Sequence, residues 1–447
     1  MLNRRDFLKA SGGFAAASAA IGNSLSGAQS SGARKPNIVF ILADDLGING
    51  VGCYGADLYK TPHIDKLAQG GTRYSNAYTA PLCGPSRALI MTGRYAFRTG
   101  ATNQDATGEI TTDAETFMPK MLKPAGYTTS CIGKWGQLPD GPAEFGFDEH
   151  LKFQGSGVYW NTQDKGKNYT VNGKKVELKA KEYLPDVMHN HAVDFITRNK
   201  NNPFYLYYSM SHVHAEILPT PDSKPDSLDY YADNIAYMDK LVGKLVAEID
   251  RLKLRENTLI IFFGDNGTGN GYAAKSTIHG KQISGQKGSM LEGGSQVPMI
   301  VNWPGKTPAG KVSPDLIDST DFVPTFVEMA GAKLPAGKTI DGVSFAPQIY
   351  GKKGRTRETI FIELARNWYV RDAKWKLDQS GELYDMSGAP FTEPSVPKDT
   401  TNLAAINARK RLEIALAKLN PAGGKLDAGD GTGRHANREE NRKKKKK

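Results

Sequence analysis

The sequence predicts an α/β protein: a mostly parallel sheet with helices on both faces, followed by a small antiparallel sheet carrying one helix. Three observations predict it. Residues 37–43 and 257–263 are continuous apolar runs rich in β-branched side chains, as strands buried on both faces are. Between them, Tyr231, Ile235, Met238, Val242, Leu245, Ile249 and Leu252 recur at three- and four-residue steps and share one helix face over 229–252. Beyond about residue 345 the pattern changes to short strands with tight turns. Strands alternating with amphipathic helices make a parallel sheet covered on both sides. At about 150 residues per domain, 447 residues make two or three domains, or one large domain with an appendage. With 39% apolar and 23% charged residues, collagen-like, coiled-coil and wholly disordered chains are excluded. No apolar run is long enough for a spanning helix.

In chain order, residues 1–33 come first. Arg4 and Arg5 precede Phe7, Leu8 and an Ala/Gly/Ser-rich stretch, which resembles a twin-arginine signal peptide. The reading implies bacterial export to the periplasm or medium by the twin-arginine machinery, with a mature chain starting near residues 29–34. The other reading is an amphipathic first helix. Of the net charge of +11, +2 lies in 1–33 and +5 in 421–447, which leaves +4 for the body. A body so near neutrality does not read as a nucleic-acid binder.

The catalytic α/β domain is expected over 34–345, with further strands at 127–132 and 204–210. Asn172-Gly173 between short strands marks a hairpin over 169–176, on the rim. A C-terminal subdomain is expected over 346–420, with strands at 358–364, 368–372, 374–378 and 381–384 and a helix at 402–419. Residues 421–447, ending in five lysines, read as a basic disordered tail. Cys53, Cys83 and Cys131 are no disulfide framework. A Cys53–Cys131 bond suits an oxidising compartment, but spacing does not establish it.

In open parallel sheets, ligands bind beyond the carboxyl ends of the strands. Two buried strands here end in Asp44-Asp45 and Asp265-Asn266. Three carboxylates and an amide are hard oxygen donors suited to Ca²⁺ or Mg²⁺. Turn chemistry explains either pair alone. Pro85 suits the first turn of a helix that stops at Gly93 and places Cys83 just before its N-terminus, where anions are favoured. A structural cysteine and a reactive thiol are the other readings.

These residues resemble the formylglycine-dependent sulfatases. Cys83-Gly84-Pro85-Ser86-Arg87 matches the C-x-P-S-R signature, with Thr92-Gly93-Arg94 following. Ala43-Asp44-Asp45-Leu46-Gly47 and Gly264-Asp265-Asn266-Gly267 match the two metal motifs. Gly133-Lys134-Trp135 and Gly285-Gln286-Lys287-Gly288 match the lysine segments. Asp341-Gly342-Val343 and Glu382-Leu383-Tyr384-Asp385 match the C-terminal part, so the resemblance spans roughly residues 36 to 386.

The resemblance implies an alkaline-phosphatase-like core and hydrolysis of aryl or carbohydrate sulfate esters. It also implies one divalent cation, Ca²⁺ before Mg²⁺, on Asp44, Asp45, Asp265, Asn266 and the group at position 83. Cys83 would be oxidised to formylglycine by a formylglycine-generating enzyme, and its hydrate would attack sulfur. Arg87 would orient that hydrate, Lys134 and Lys287 would neutralise sulfate oxygens, and His212 would be the general acid. Two departures bear on the chemistry. Gly136 stands where the family has histidine, and His214 stands where the P-H-x-P motif ends in proline. Either His214 takes over the missing role or turnover is impaired. A third departure, Gly293-Gly294-Ser295-Gln296 where arginine often precedes Val-Pro, bears on structure or substrate contact. The alternatives are a phosphonate or phosphate ester hydrolase of the same superfamily and a non-catalytic binder of sulfated glycans. Gln104, Asp105, Tyr159, Trp160 and His279, in or near rim loops, could meet a sugar or simply be solvated.

Overall fold

In the computed structural model the apolar runs are strands. Residues 34–429 are described, save Gln137 and Pro139, and the described residues from Lys35 onward form one compact unit. The expected signal peptide and the part of the expected tail beyond 429 lie outside the described residues. The strands are β1 (Asn37–Ala43), β2 (Thr72–Tyr78), β3 (Thr128–Lys134), β4 (Glu149–Phe153), β5 (Asn168–Val171), β6 (Lys174–Glu177), β7 (Phe204–Ser209) and β8 (Thr258–Gly264). They continue with a separate ribbon of β9 (Thr277–Ile278) and β10 (Lys281–Gln282), then β11 (Met299–Asn302) and β12 (Lys311–Asp318).

Ten strands make one sheet in the order β12-β2-β11-β8-β1-β7-β3-β4-β5-β6. The run from β8 to β4 is parallel throughout, and β12 pairs parallel with β2. The antiparallel pairs are β2–β11, β11–β8 and the predicted hairpin at the β4 edge.

The helices of eight residues or more are α1 (Pro62–Gln69), α2 (Cys83–Thr92), α3 (Leu184–Arg198), α4 (Tyr230–Arg251), α5 (Phe322–Ala330) and α6 (Leu403–Leu419). The two-residue period of a strand assigns each side chain to a face. Val39, Ile41, Leu206, Tyr208, Ile260 and Phe262 pack under α1, α3 and α4. Ile38, Phe40, Leu42, Tyr205, Tyr207, Ile261 and Phe263 pack under α2 and α5. Burial on both faces is why β1 and β8 read as unbroken apolar runs. The α4 stripe is buried as its spacing predicts, and the Asp229 side chain caps the helix by accepting from the Tyr231 and Ala232 N–H groups.

The second sheet runs β13 (Ile360–Leu364), β14 (Asn367–Arg371), β15 (Trp375–Asp378), β16 (Leu383–Asp385) and β17 (Ser395–Val396), antiparallel throughout. Ala405, Ala408 and Leu412 of α6 pack on Val370, Trp375, Leu377 and Leu383. This sheet joins the main one through buried contacts. Phe361 packs on Leu89, Tyr95 and Phe97, and the buried Arg371 pairs with Glu292 and donates to the Tyr78 hydroxyl at 2.8 Å.

One open possibility is not realised and one expectation is corrected. Cys53 and Cys131 are both free. Cys131 faces the α2 side of the sheet and Cys53 packs on the α4 side, so the sheet itself separates them. Residues 421–429 are not loose tail. Lys425 N–H donates to the Phe97 carbonyl at 2.7 Å, and Asp427 is buried beside Asn103.

Candidate active site

The site forms where β1, β8, β7 and β3 end. Asp45 N–H donates to Asp265 Oδ1 at 3.0 Å, and Asn266 Nδ2 donates to Asp45 Oδ1 at 2.9 Å, which stitches the β1 and β8 ends together. Asp45 sits at φ 61°, a left-handed conformation that Asp tolerates better than most residues. Asp44 exchanges backbone hydrogen bonds with the segment after β7, its N–H donating to the His212 carbonyl and its carbonyl accepting from Val213 N–H.

Cys83 is the first residue of α2, one position further into the helix than expected, with Leu82 as N-cap. The helix ends at Gly93, whose φ of 69° a side chain would resist. One turn after Cys83, the buried Arg87 donates to Asp265 Oδ2 through Nε at 3.2 Å and Nη2 at 2.7 Å. Its Nη1 reaches the Lys134 carbonyl at 2.9 Å and the Ser209 hydroxyl. Lys134 Nζ donates to both oxygens of Asp44 at 2.8 Å. Lys287 pairs with Asp45 Oδ1, and His214 Nε2 stands 3.7 Å from Asp45 Oδ2.

Three carboxylates thus meet three cations in a buried cluster. Burial pushes the Asp265 carboxyl up to about 6, reinforced by Asp44 and opposed by Arg87 and Lys134. Burial also acts on Asp45, but the charges of Lys287, His214 and Lys134 override it and hold that carboxyl well below the usual range. Burial works against the Lys134 and Lys287 ammonium groups, yet Asp44 and Asp45 respectively keep both above the ordinary lysine value.

The donor set fits a hard divalent cation. Ligand atoms of Asp44, Cys83 and Asp265 lie within 4.8 Å of one another, as do those of Asp44, Asp45 and His214. Asn266 spends its amide hydrogens on Asp45 and Gly267, so its buried Oδ1 is a carbonyl oxygen without a hydrogen-bond partner. A carbonyl oxygen left bare beside three carboxylates is what an oxygen-seeking ion requires.

A cavity of about 460 Å³ opens over these groups, lined among others by Asp45, Cys83, Gln104, His214, Tyr272 and Lys287. The two histidines part company here. His214 lines the cavity, and burial lowers its pKa to about 4, with Asp45 opposing and Lys134 and Lys287 assisting. His212, expected as the general acid, is fully buried. Its Nε2 shares a hydrogen with the Tyr183 hydroxyl at 2.9 Å, its ring packs among Tyr159, Tyr183 and Tyr237, and burial lowers its pKa to about 3. Its position away from the cavity removes the geometric basis for that role.

Of the rim residues, Gln104 lines the cavity, Tyr159 lies beneath it and bonds the Ser211 and His214 carbonyls, and Trp160 donates to Pro219. Asp105 N–H turns toward Asn103 Oδ1 at 2.8 Å. His279 sits on the ribbon, its N–H on the Gly55 carbonyl. Ser209, Leu82 and Tyr272 were not anticipated; for Ser209 the available signal was its place at the end of a buried strand. Gly136 has φ 102°, and a Cβ there would meet Arg87 Cδ at an ordinary 3.6 Å, so backbone conformation rather than space selects glycine.

Comparison with known proteins agrees with this architecture. A family model described as Sulfatase matches residues 36–332, and one described as N-sulphoglucosamine sulphohydrolase, C-terminal, matches residues 285–404. N-acetylgalactosamine-6-sulfatase of Canis lupus familiaris is 33% identical, the match covering 71% of this chain and 66% of that protein. Arylsulfatase G of Rattus norvegicus is 32% identical over 74% of this chain and 71% of its own. The crystal structure of Ps i-CgsB in complex with k-i-k-neocarrahexaose superposes with a TM-score of 0.76 at 29% identity, covering 90% of this chain and 97% of that one. With the two acidic strand ends, the C-x-P-S-R helix and the lysine pair gathered in one buried cluster that reaches the cavity at Asp45, Cys83 and Lys287, the chain belongs to the sulfatase family, the hydrolases of sulfuric esters.

Proposed function

We propose that this chain hydrolyses carbohydrate sulfate esters, using a formylglycine made from Cys83 and one calcium ion. The observation that carries the reading is the placement of Cys83, which lines the cavity, at the first position of α2 with its ligand atom within 4.8 Å of those of Asp44 and Asp265. Asp44, Asp45, Asp265, Asn266 and the group at 83 would hold the cation, which supplies Lewis-acid polarisation of the ester. The hydrated aldehyde supplies a hydroxyl nucleophile and a second hydroxyl through which the product can be expelled.

The chain's own residues do the rest. Arg87 holds Asp265 Oδ2 and spans to β3 and β7, which ties the turn carrying position 83 to three strand ends. Lys134 pairs with Asp44 and Lys287 with Asp45, and both would share their charge with sulfate oxygens, Lys287 from the cavity wall and Lys134 from beneath the carboxylates. His214 lines the cavity, its Nδ1 engaged by the Ala215 carbonyl, and its Nε2 is the proposed donor to the leaving oxygen. An anionic ester beside it would raise its affinity for the proton. It would thereby serve the role first assigned to His212.

Carbohydrate substrates are supported by the relatives' names and by the oligosaccharide in the Ps i-CgsB complex. Among the described residues no helix is long and apolar enough to cross a membrane. Twin-arginine export to the periplasm, and maturation by a formylglycine-generating enzyme before export, complete the proposal. The deciding experiment is sulfate release from a panel of aryl and saccharide sulfates, with Cys83→Ala as control and phosphate esters as competitors. Release confined to sulfate esters and lost in Cys83→Ala is expected. Binding of sulfated saccharides without release would favour the non-catalytic reading that Gly136 motivates.

A further inference from the structure

The loop that follows the short helical turn Ala96–Thr99 enters the cavity at Gln104, whose side chain is nine-tenths buried. Gln104 Oε1 accepts from Gly84 N–H at 3.1 Å and from the Cys83 thiol at 3.4 Å. A backbone N–H only donates, so the atom facing it must be the amide oxygen, which fixes the orientation of the side chain. The amide nitrogen, with two hydrogens, is the part left for whatever fills the cavity. A hydroxyl at position 83 would offer Oε1 the same donor that the thiol offers now.

The loop itself is clamped from the far end of the chain. Asn103 Oδ1 accepts from the N–H groups of Asp105 and Ala106 at 2.8 and 2.7 Å, a turn that brackets Gln104. Asn103 Nδ2 donates to the buried Asp427, which also takes the Thr102 hydroxyl at 3.4 Å. The segment carrying Asp427 is pinned in turn. Lys425 reaches the Phe97 and Thr99 carbonyls, and Arg366 Nη2 reaches the Gly429 carbonyl at 2.9 Å.

We propose that Gln104 is a catalytic residue, holding the group at position 83 through Oε1 and donating through Nε2 to the sulfate ester, and that Asp427 positions it through Asn103. This rests on the sulfatase reading above. The logic is that of a preorganised donor: its value depends on being held in place before the substrate arrives. A loop with no clamp would pay that ordering cost at each turnover.

The test uses full-length protein made with a formylglycine-generating enzyme, with conversion at position 83 read by peptide mass. Gln104→Ala should lower kcat on an aryl sulfate by about 10- to 100-fold at unchanged conversion. It should also weaken inorganic sulfate binding, measured by calorimetry on unconverted Cys83 protein. Asp427→Ala should lower kcat by less, and Asp427→Asn should restore it, because the asparagine oxygen still accepts from Asn103. The Gln104→Ala/Asp427→Ala pair should be no slower than Gln104→Ala alone. If Asp427→Ala does not fold, Asn103→Ala cuts the same link from the loop side.

A kcat within about twofold of wild type for fully converted Gln104→Ala overturns the proposal, since a positioned donor is worth more than that. An Asp427→Ala loss that persists undiminished beside Gln104→Ala overturns the positioning role. Fully converted wild type that releases sulfate from no ester overturns the sulfatase reading instead, and the inorganic sulfate affinities then decide on Gln104 separately.

Discussion

The guanidinium of Arg87 touches β3, β7 and the end of β8 at once, and its charge stands between Asp265 at 2.7 Å and Asp44 at 3.9 Å. At this scale the site is a balance of buried ions, and each side chain is held by neighbours that would be left uncompensated without it. The histidines obey a different rule, exposure to the cavity. His214→Ala should lower kcat by about 100-fold or more, because a positioned proton donor is worth that much. His212→Phe, which fills the same space among Tyr159, Tyr183 and Tyr237, should leave kcat within a few-fold and shift only the melting temperature. Steady-state kinetics on one aryl sulfate checks both, and equal loss in the two variants would refute the assignment. The motif residues were legible because an unusual residue type at a fixed spacing carries its own signal. The choice between His212 and His214 was not. Two residues apart in a turn that the His214 N–H closes on the Ser211 carbonyl, they differ in which element closes over them, and the aromatic side chains that bury His212 come from 159, 183 and 237. Gln104 was a candidate whose role stayed open, since a glutamine in a loop looks the same whether it faces water or Gly84.

Elements were legible where one physical signal dominated. Full burial made β1 and β8 unbroken apolar runs, and one-sided burial gave α4 its stripe. β12, the edge strand, contains Pro314 and a register shift between Ser313 and Leu316, and its neighbour β2, with the sequence TRYSNAY, is polar, so neither carries such a signal. The same blurring hid how firmly the C-terminal sheet is bound. Arg371 of β14 and Glu292 are both fully buried, so Arg371→Leu should cost about 3–5 kcal/mol in urea unfolding by leaving the carboxylate unpaired. A loss under about 1 kcal/mol would mean that water reaches Glu292. Glu363 on β13 gives a pH-dependent counterpart. Burial, reinforced by Asp427, raises its carboxyl from 4.5 to about 8. The folded protein therefore keeps a proton that the unfolded chain gives up, and this contribution to stability is full below 4.5 and fades as pH rises through about 8. Glu363→Gln, which still accepts from Phe97 N–H, should flatten that decline between pH 5 and 8.5 in thermal melts.

For the molecule as a whole, the decisive feature is that the carboxyl edge of one sheet gathers three carboxylates from two strands that are distant in sequence. The fold holds them against their mutual repulsion with Lys134, Lys287 and Arg87, and still leaves Asn266 Oδ1 without a partner. A dication that binds only where these strand ends meet must stabilise the folded state by mass action. The gain is about 2.7 kcal/mol when the free ion exceeds its dissociation constant 100-fold. The melting temperature of full-length protein should therefore rise by a few degrees with added calcium, and fall again with a chelator. Asn266→Ala, measured from its own baseline in chelator, should lose more than half of that shift because it removes the proposed oxygen ligand, while its lost hydrogen bonds to Asp45 and Gly267 lower the baseline itself. Magnesium, which demands a tighter octahedral shell, should give the smaller shift at equal concentration. If calcium moves neither melting curve, or moves that of Asn266→Ala as far as wild type, the bare carbonyl is not a ligand and the cluster is a self-neutralised ion network.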